Sequence, residues 1–335
     1  MKNLLWISLF VLVSACEDQS EKMRVVNGET MGTTYQIKYY SQQNTDLKPA
    51  IDSVLQLINT SLSTYIPQST ISLFNQAASY AIVDDYFLTN YNKAREVGDE
   101  SAGAFEMTVM PLVNAWGFGF KKMAGQVDSV LIDSLLQLVG PDKTWLSGDT
   151  LFKSRPEVMV DFSALAKGFG VDELGRFLDA KGINSYMIEI GGEILTKGSK
   201  PLEGDWQVGI EKPIDDQSGT QKQLELVLPL KDKAMATSGN YRNFYIRDGK
   251  KFAHEIDPKM GYPVEHNLLS ATVIASDCMT ADAWATAFMV MGFEKAKMIA
   301  EANTSMEVAL IYVDENGANQ LYLSPLLAAA NKEKP

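Results

Sequence analysis

Positive charge is scarce in this sequence of 335 residues. Lysine and arginine number 30 against 42 aspartates and glutamates, which gives a net charge of −12. Proteins that bind nucleic acid hold its phosphate backbone with clustered Lys and Arg, so the composition predicts no nucleic-acid partner. A phosphate group could still be bound locally, by backbone N–H groups, a few placed cations or a metal ion.

The N-terminus carries an apolar run that is too short for a permanent transmembrane helix. In MKNLLWISLFVLVSAC the run is about a dozen residues long, where a helix needs about 20 to span a bilayer. Residues 1–15 are therefore expected to be a cleavable export signal. Residues 13 to 16, VSAC, resemble a bacterial lipobox, and we expect Cys16 to become the lipidated first residue of the mature chain. An ordinary signal peptide is the alternative.

Cysteine is almost absent from the rest of the chain. There are two cysteines, and only Cys278 is left once Cys16 carries a lipid. An internal disulfide is then excluded even in an oxidising compartment, and stability must come from the hydrophobic core. Apolar residues make up 46% of the sequence, which excludes a disordered chain.

The order of apolar and polar residues predicts an α+β fold. Apolar residues alternate with polar or small ones at 33–39, which indicates a strand, and recur at helical spacing at 51–58. Further helices are predicted at 86–100, 131–138, 167–181, 280–291 and 293–302, and strands at 159–160, 187–190, 206–210, 224–228, 234–237, 243–246, 270–274, 308–313 and 320–323. This mixture predicts a single domain of largely antiparallel sheets with flanking helices.

The domain boundaries follow from where the periodic pattern starts and stops. Residues 16–27 are polar and lack periodic apolar positions, as expected of a tether between a lipid anchor and a folded body. The body is predicted at 28–325, with 326–335 as a C-terminal tail. No repeat of fixed period and no Pro/Gly/Ser linker divides it.

The stretch DFSALAKGFG, residues 161–170, joins a short apolar run to a helix. Asp161 and Lys167 therefore lie near a helix N-terminus, where free backbone N–H groups and the positive end of the helix dipole suit a phosphate. The spacing does not fit the GxxxxGK[ST] phosphate loop. A lysine that opens a solvated helix is the alternative interpretation.

A second stretch, SDCMTADAWATAFMVMG at residues 276–292, carries polar oxygen atoms on an apolar helix. Asp282 and Thr286 are four residues apart and share a helix face. A carboxylate and a hydroxyl suit Mg²⁺, which takes oxygen ligands and keeps places for a substrate phosphate. In the alternative, Asp282 is a surface or capping residue and Thr286 fills core space. Asp277 is either an N-cap or a further carboxylate near the ion.

The third stretch is HEIDPKMGYP, residues 254–263. His254 is one of only two histidines in the chain. Histidine exchanges protons near neutral pH, which makes His254 a candidate general base. A structural histidine at a strand end is the alternative.

Together these motifs resemble the ApbE family of flavin transferases of the bacterial cell envelope. The resemblance extends over most of residues 28–313, with the motifs in the family's order. The segments that carry it are Met31-Gly32-Thr33, Tyr65 with Ser69-Thr70-Ile71-Ser72 and Phe74-Asn75, Ala104-Phe105-Glu106, DFSALAKGFGVD, IEIGGEI, ATSGNYRNFY, HEIDPKMGYPV and TADAWATAFMVMG. Met260, and Phe162 with Ser163, depart from the family's common residues beside the expected functional atoms.

The resemblance implies a chemistry and a set of site residues. It implies that FAD and Mg²⁺ bind, that the FAD pyrophosphate is split and AMP released, and that FMN is transferred to a threonine or serine hydroxyl. It implies FAD contacts at Met31, Tyr65, Ala104, Phe105, Glu106, Asp161, Lys167 and His254. It implies metal ligands at Asp282, Thr286 and the backbone carbonyl of Ala164. His254 is implied as the base for the acceptor hydroxyl, and Lys167 as a charge on the phosphates.

The resemblance also implies a partner and a location. The acceptor is expected to be an exported flavoprotein of the redox-pump subunit type. The chain is expected to be anchored through Cys16 and to face the periplasm, at the inner membrane. An FAD pyrophosphatase that delivers FMN to water is a second hypothesis, and an FAD-storing lipoprotein is a third. The Asp282 and Thr286 pair would have no role in storage.

Two cofactor contacts also have simpler interpretations. The Tyr65 ring could pack in the core or at its rim, and Glu106 could cap a helix. Cys278 is taken as an inert core residue.

Overall fold

Antiparallel strands and the helices packed on them make up the described part of the chain. The computed structural model describes residues 21–119, 127–213, 223–240, 244–247 and 250–332. The strands are β1 (Lys22–Thr30), β2 (Thr33–Ser41), β3 (Tyr80–Ile82), β4 (Thr144–Ser147), β5 (Thr150–Lys153), β6 (Tyr186–Ile190), β7 (Glu193–Lys197), β8 (Trp206–Glu211), β9 (Leu224–Leu230), β10 (Ala234–Gly239), β11 (Phe244–Arg247), β12 (Lys250–Ala253), β13 (Leu268–Ala275), β14 (Glu307–Val313) and β15 (Asn319–Leu323). The helices are α1 (Lys48–Leu62), α2 (Thr70–Gln76), α3 (Asp85–Glu100), α4 (Met110–Ala115), α5 (Ser129–Leu136), α6 (Ala166–Ala180), α7 (Cys278–Met291), α8 (Phe293–Ala302) and α9 (Pro325–Lys332).

An eight-stranded sheet spans the molecule in the order β1-β2-β6-β7-β10-β13-β14-β15. Each neighbouring pair in it is antiparallel. Smaller sheets are formed by β3-β5-β4, β8-β9 and β11-β12. The predicted α+β class with largely antiparallel sheets is confirmed.

Helix α7 is the central element of the largest core. Asp277 caps its N-terminus, because the carboxylate accepts a hydrogen bond of 2.8 Å from the backbone N–H of Thr280. The helix is apolar around most of its circumference, and its Trp284, Phe288 and Met289 side chains are buried in the core. A helix with this pattern must be covered on several sides, and α7 packs against β10, β13 and α6.

Helices α6 and α7 cross at a very short distance, which the glycine at position 168 permits. A Cβ atom on Gly168 would lie 2.4 Å from the carbonyl oxygen of Cys278. No side chain fits there, so the backbones of the two helices are in direct contact. This crossing brings the residues after DFSALA next to the first turns of α7.

The predicted strand at 159–160 is wrong. Val158 and Val160 are fully buried, but within the described ranges no strand pairs with this segment. Asn75 takes the place of one: its side-chain oxygen accepts the Val160 N–H at 2.8 Å, and its amide nitrogen donates to the Val160 carbonyl at 2.9 Å. The buried Lys153 ammonium donates to the carbonyl of Val158 at 3.1 Å. Side chains therefore satisfy backbone groups that a sheet would otherwise pair.

Two domain boundaries also differ from expectation. Strand β1 begins at Lys22 and pairs along its whole length with β2, so part of the predicted 16–27 tether belongs to the sheet. The predicted 326–335 tail largely coincides with α9, whose Leu327 is buried against β8, β9 and β14. The C-terminal segment is therefore part of the core. Residues 1–20, with the predicted signal and Cys16, lie outside the described residues.

Candidate functional site

The centre of the candidate site is a lysine between two buried carboxylates. Lys167 Nζ lies 2.8 Å from Glu193 Oε1 and 3.6 Å from Asp282 Oδ1. Both carboxylates are only 3% exposed. The structure thus joins two of the predicted residues, Lys167 and Asp282, and adds Glu193, to which sequence analysis assigned no role.

The charges of this cluster stabilise one another. Burial alone would lower the pKa of Lys167, but the nearby Asp282 and Glu193 carboxylates outweigh it and raise that pKa above its usual value. Lys167 is therefore a permanent cation at neutral pH. Burial raises the pKa of Glu193, and the Lys167 ammonium acts in the opposite direction. The cluster combines one cation with two acids, so further positive charge would be favourable there.

Asp282 is held by the helix crossing. Its Oδ2 atom accepts a hydrogen bond of 3.0 Å from the backbone N–H of Gly168. Oδ1, the other oxygen, is the one that faces Lys167. The interpretation of Asp282 as an ordinary surface residue is wrong, because the side chain is buried. Asp277 caps α7, and its carboxylate already accepts a hydrogen bond there.

The oxygen atoms predicted to bind a metal lie around the same helix. Thr286 lies one turn after Asp282 on α7, and its hydroxyl is 3.3 Å from the Ser238 hydroxyl on β10. Ala164 belongs to the turn that leads into α6. Among the described residues, no three His, Cys, Asp or Glu side chains gather around a common point. A metal here would rest on a single carboxylate with neutral oxygens, which suits a Mg²⁺ ion that also binds phosphate oxygens.

The turn before α6 is rigid. Asp161 Oδ1 accepts hydrogen bonds from the backbone N–H and the hydroxyl of Ser163, at 2.9 and 2.6 Å. The Asp161 N–H donates to the carbonyl of Met107 at 2.8 Å. Burial raises the pKa of Asp161, and the bonds from Ser163 act in the opposite direction. The turn is thereby fixed to the segment that follows the predicted contacts at 104–106.

A second part of the candidate site is a cleft of about 350 Å³ lined by Phe105, Glu106 and Lys259 among others. Ala104 lies in the chain between two residues that line it, Gly103 and Phe105. The Lys259 side chain covers Gly103, with its Cε 3.4 Å from where a Cβ atom would lie. The cleft therefore joins two of the predicted motifs, at 104–106 and at 254–263.

Glu106 caps a short turn as well as lining the cleft. Its Oε1 atom accepts bonds from the backbone N–H and hydroxyl of Thr108, at 2.8 and 2.7 Å. Burial raises the pKa of this carboxyl. The capping alternative is confirmed, and the remaining Oε2 atom is the part of the side chain that these bonds do not use.

His254 lies beside the buried carboxylate of Glu255. Its Nδ1 atom is 3.4 Å from Oε2 of Glu255, and its ring meets the edge of Phe118 at 6.4 Å between centroids. Glu255 is 5% exposed, and neither of its carboxylate oxygens accepts a hydrogen bond from the residues that the structure describes. Asp257 has a structural role in the next turn, where it accepts the backbone N–H groups of Lys259 and Met260.

The remaining predicted cofactor contacts, Met31 and Tyr65, occupy different settings. Met31 has a φ of 50° in the turn between β1 and β2, and its Cε atom lies close to Gly170 of α6. Tyr65 is 73% exposed, so the core-packing alternative for its ring is wrong. Met31 thus touches the helix of Lys167, whereas Tyr65 lies at the surface, where a ligand can reach it.

Three acidic residues of this region lie in the sequence motifs, but no role was predicted for them. Glu193 follows the Gly191–Gly192 turn and opens a strand, Asp172 lies within α6, and Glu255 follows His254. All three side chains are buried. Their burial could have been suspected where a charged residue stands among apolar ones in the sequence. Charged side chains are rarely buried unless they have a partner.

Comparisons with known proteins identify the family of this chain. The model of the ApbE family matches residues 31–310. The FAD:protein FMN transferase of Vibrio cholerae is 39% identical over 326 residues, which cover 94% of this chain and 95% of that protein. The solved structure of the flavin transferase ApbE from Vibrio cholerae has a TM-score of 0.83 at 37% identity, covering 92% of this chain and 99% of the other. The Pseudomonas stutzeri flavinyl transferase ApbE, in its apo form, also has a TM-score of 0.83, at 29% identity and with 95% and 100% covered. The chain belongs to the ApbE family.

Proposed function

We propose that this protein is an FAD:protein FMN transferase that requires Mg²⁺. The hydroxyl oxygen of a threonine or serine on the acceptor attacks the phosphorus of the FMN half of FAD. A new P–O bond forms to the acceptor, and the P–O bond to the bridging oxygen of the pyrophosphate breaks. AMP leaves with that oxygen, and the hydroxyl proton passes to a base, for which we propose His254.

The observation that carries this proposal is the Lys167 cluster. A pyrophosphate brings negative charge into the site, and its cleavage leaves more of that charge on the departing phosphate. Lys167 is a fixed cation at the start of α6, within 3.6 Å of the Asp282 carboxylate. An acidic protein without a basic surface can thus still neutralise a phosphate locally.

A bound Mg²⁺ would neutralise the phosphate oxygens and polarise the bond that breaks. The residues proposed to hold it are Asp282, Thr286 and the carbonyl of Ala164. Their chemistry fits, because all three offer hard oxygen atoms. The Gly168 N–H keeps the Asp282 carboxylate in one orientation by binding its Oδ2 atom.

The flavin end of the substrate is proposed to occupy the cleft beside Phe105 and Glu106. The cleft offers an aromatic ring, a buried carboxyl and the Lys259 ammonium. Met31, Tyr65 and Asp161 are proposed to complete the FAD contacts. The family relationship supports these assignments, since each matches a motif of the resemblance.

The acceptor is proposed to be an exported flavoprotein of the redox-pump subunit type. For the chain itself we propose a bacterial envelope location, with a lipid on Cys16 holding it at the inner membrane and facing the periplasm. Within the described residues, none of the helices has the length and hydropathy to cross a bilayer. A Cys16→Ala variant that still incorporates labelled palmitate in cells would contradict the anchor.

The decisive experiment mixes the protein with FAD and an exported flavoprotein domain from the same genome, with and without Mg²⁺. Covalent flavin is read as fluorescence on a denaturing gel, and free FMN and AMP by chromatography. Labelling of the acceptor with AMP release, only when Mg²⁺ is present, is the expected result.

The control is an acceptor whose target hydroxyl is removed by Thr→Val. FMN and AMP released at equal rates with both acceptors, and without labelling, would identify a pyrophosphatase. Labelling in the presence of a metal chelator would contradict the Mg²⁺ requirement.

A further inference from the structure

Glu193 lies in the IEIGGEI motif, but the proposed mechanism gives its carboxylate no role. We propose that Glu193 is a positioning residue that holds the Lys167 ammonium away from Asp282 Oδ1, and so keeps that oxygen free for the metal ion. The inference rests on the proposed function, because it concerns the Mg²⁺ ligand of the same site. It adds a competition between a lysine and a metal for one oxygen atom.

The competition arises because the two oxygens of Asp282 have different neighbours. Its Oδ2 atom accepts the Gly168 N–H at 3.0 Å, in the direct contact between α6 and α7. Oδ1 accepts no such backbone bond, so it is the oxygen that we expect a metal to bind, and Oδ1 is also the atom that Lys167 faces. An ammonium and a Mg²⁺ ion cannot both lie against that oxygen without strong repulsion.

The distances show which carboxylate holds the lysine. Nζ of Lys167 is at hydrogen-bond distance from Glu193, 2.8 Å, but at 3.6 Å from Asp282. The second contact is too long for a hydrogen bond. If Glu193 lost its charge, Asp282 would be the carboxylate left to pair with this partly buried ammonium, and a charge withdrawn from water is stabilised by a partner.

The fold fixes Glu193 in this place. It pairs with Ile190 across the two-residue turn Gly191–Gly192, whose φ angles are 63° and 108°. These positive values suit glycine, and the turn is short, so the first residue of β7 has little freedom. Its Oε2 atom is buried and accepts no hydrogen bond from the described part of the chain. Among the described residues, Lys167 is the one ion-pair partner of this carboxylate.

The test measures Mg²⁺ binding to the full chain in the absence of FAD, by isothermal titration calorimetry. Glu193→Gln keeps the size of the side chain and removes its charge. We expect it to weaken Mg²⁺ binding about 10-fold or more, the range seen when a partner of a metal ligand is lost. In a Lys167→Met background the competing ammonium is gone, and Glu193→Gln should then change the affinity by less than about twofold, since the two effects are coupled.

The double-mutant comparison separates positioning from a general charge effect. An equal loss of affinity in both backgrounds would overturn the proposal, because Glu193 would then act on the metal directly through its charge. An unchanged affinity in the single variant would overturn it as well. Glu307→Gln is the matched control: it breaks a Glu–Lys ion pair with Lys233, outside this site, and changes the net charge equally.

The outcomes also distinguish this inference from the proposed function. If the unaltered chain transfers flavin with Mg²⁺ but shows no coupling between positions 193 and 167, only the positioning role fails. If the unaltered chain binds no Mg²⁺ and transfers flavin without it, the proposed metal requirement fails first. Circular dichroism and the unfolding midpoint of each variant show whether the fold is retained.

Discussion

Asp172, within α6, accepts a hydrogen bond of 2.8 Å from the backbone N–H of Cys278, the first residue of α7. Its other oxygen accepts the N–H of Met279 at 2.9 Å. One helix thus caps the N-terminus of the other through a buried carboxylate. Because Lys167 lies on α6 and Asp282 on α7, this cap sets their relative positions.

The first prediction concerns the stability that this cap provides. Asp172→Ala leaves two N–H groups at the start of α7 without acceptors, and a buried unsatisfied group costs about 1–3 kcal/mol. Asp172→Asn retains one acceptor and should lose less. Urea unfolding of both variants checks this, and an alanine variant as stable as the unaltered chain would contradict the capping role.

The second prediction is a pH dependence with a defined sign. Burial raises the pKa of Asp172 from 3.8 to about 7, against the effect of the bonds from Cys278 and Met279. Between these values the folded state binds the proton more tightly, so the contribution of Asp172 to stability falls as the pH rises. The slope from this one group is at most about 1.4 kcal/mol per pH unit.

Asp172→Asn removes this titration. As the pH rises from 3.8 to about 7, the unfolding free energy of the variant should therefore increase relative to that of the unaltered chain. Urea unfolding at about pH 5 and about pH 8 measures the difference. Parallel pH dependences of the two proteins would show that Asp172 keeps an ordinary pKa.

The third prediction concerns the helix crossing. Gly168→Ala would place Cβ 2.4 Å from the carbonyl oxygen of Cys278, which is backbone and cannot rotate away. We expect a loss of about 1–3 kcal/mol, typical of overpacking, and weaker Mg²⁺ binding because Asp282 shifts with α7. Gly170→Ala on the same helix is the control, since its Cβ would come within 3 Å only of the flexible Met31 Cε and would meet Ile190 Cδ1 at an ordinary contact distance of 3.5 Å. Similar losses of stability and Mg²⁺ affinity in the two variants would argue against a specific requirement for glycine at the crossing of α6 and α7.

Local patterns predicted much of this fold. The apolar run of α7 and the alternation of β2 are properties of neighbouring residues, so 280–291 and 33–39 could be assigned from the sequence. The extended segment 158–160 could not, because the partner of Val160 is Asn75, a side chain far away in the chain. A run of apolar residues predicts that the segment is buried. It does not indicate which groups hydrogen-bond to the backbone N–H and C=O groups of that segment.

The same distinction applies to the candidate site. Asp282 and Thr286 are four residues apart on one helix, and their shared face could be derived from helical geometry alone. The meeting of Lys167 with Glu193 depends on the packing of α6 against β6 and β7. No local pattern encodes that contact, and Glu193 was therefore missed although its burial could have been suspected.

The fourth prediction concerns the proposed base. His254→Ala should slow transfer by about 10²–10⁴-fold, the usual contribution of general base catalysis, while the dissociation constant for FAD changes far less. His266→Gln is the control, because His266 is a structural histidine whose Nε2 lies 2.6 Å from the carbonyl oxygen of Met289. Stopped-flow transfer rates and FAD titrations measure the two effects. Equal losses of rate and FAD affinity at His254 would argue against a base.

The last prediction tests the proposed metal ligand, Asp282, against a second aspartate of the same segment. Asp282→Asn keeps the volume and an acceptor for the Gly168 N–H, so the fold should be retained, but it removes the charge that a Mg²⁺ ion needs. The transfer rate should fall by more than about 100-fold, which exceeds the usual effect of losing a residue that hydrogen-bonds to a metal ligand. Asp277→Asn is the matched control, because asparagine caps a helix about as well as aspartate. Its transfer rate and Mg²⁺ affinity should stay unchanged. If Asp277→Asn instead weakens Mg²⁺ binding as much as Asp282→Asn does, the ion lies nearer the N-terminus of α7 than the face shared by Asp282 and Thr286.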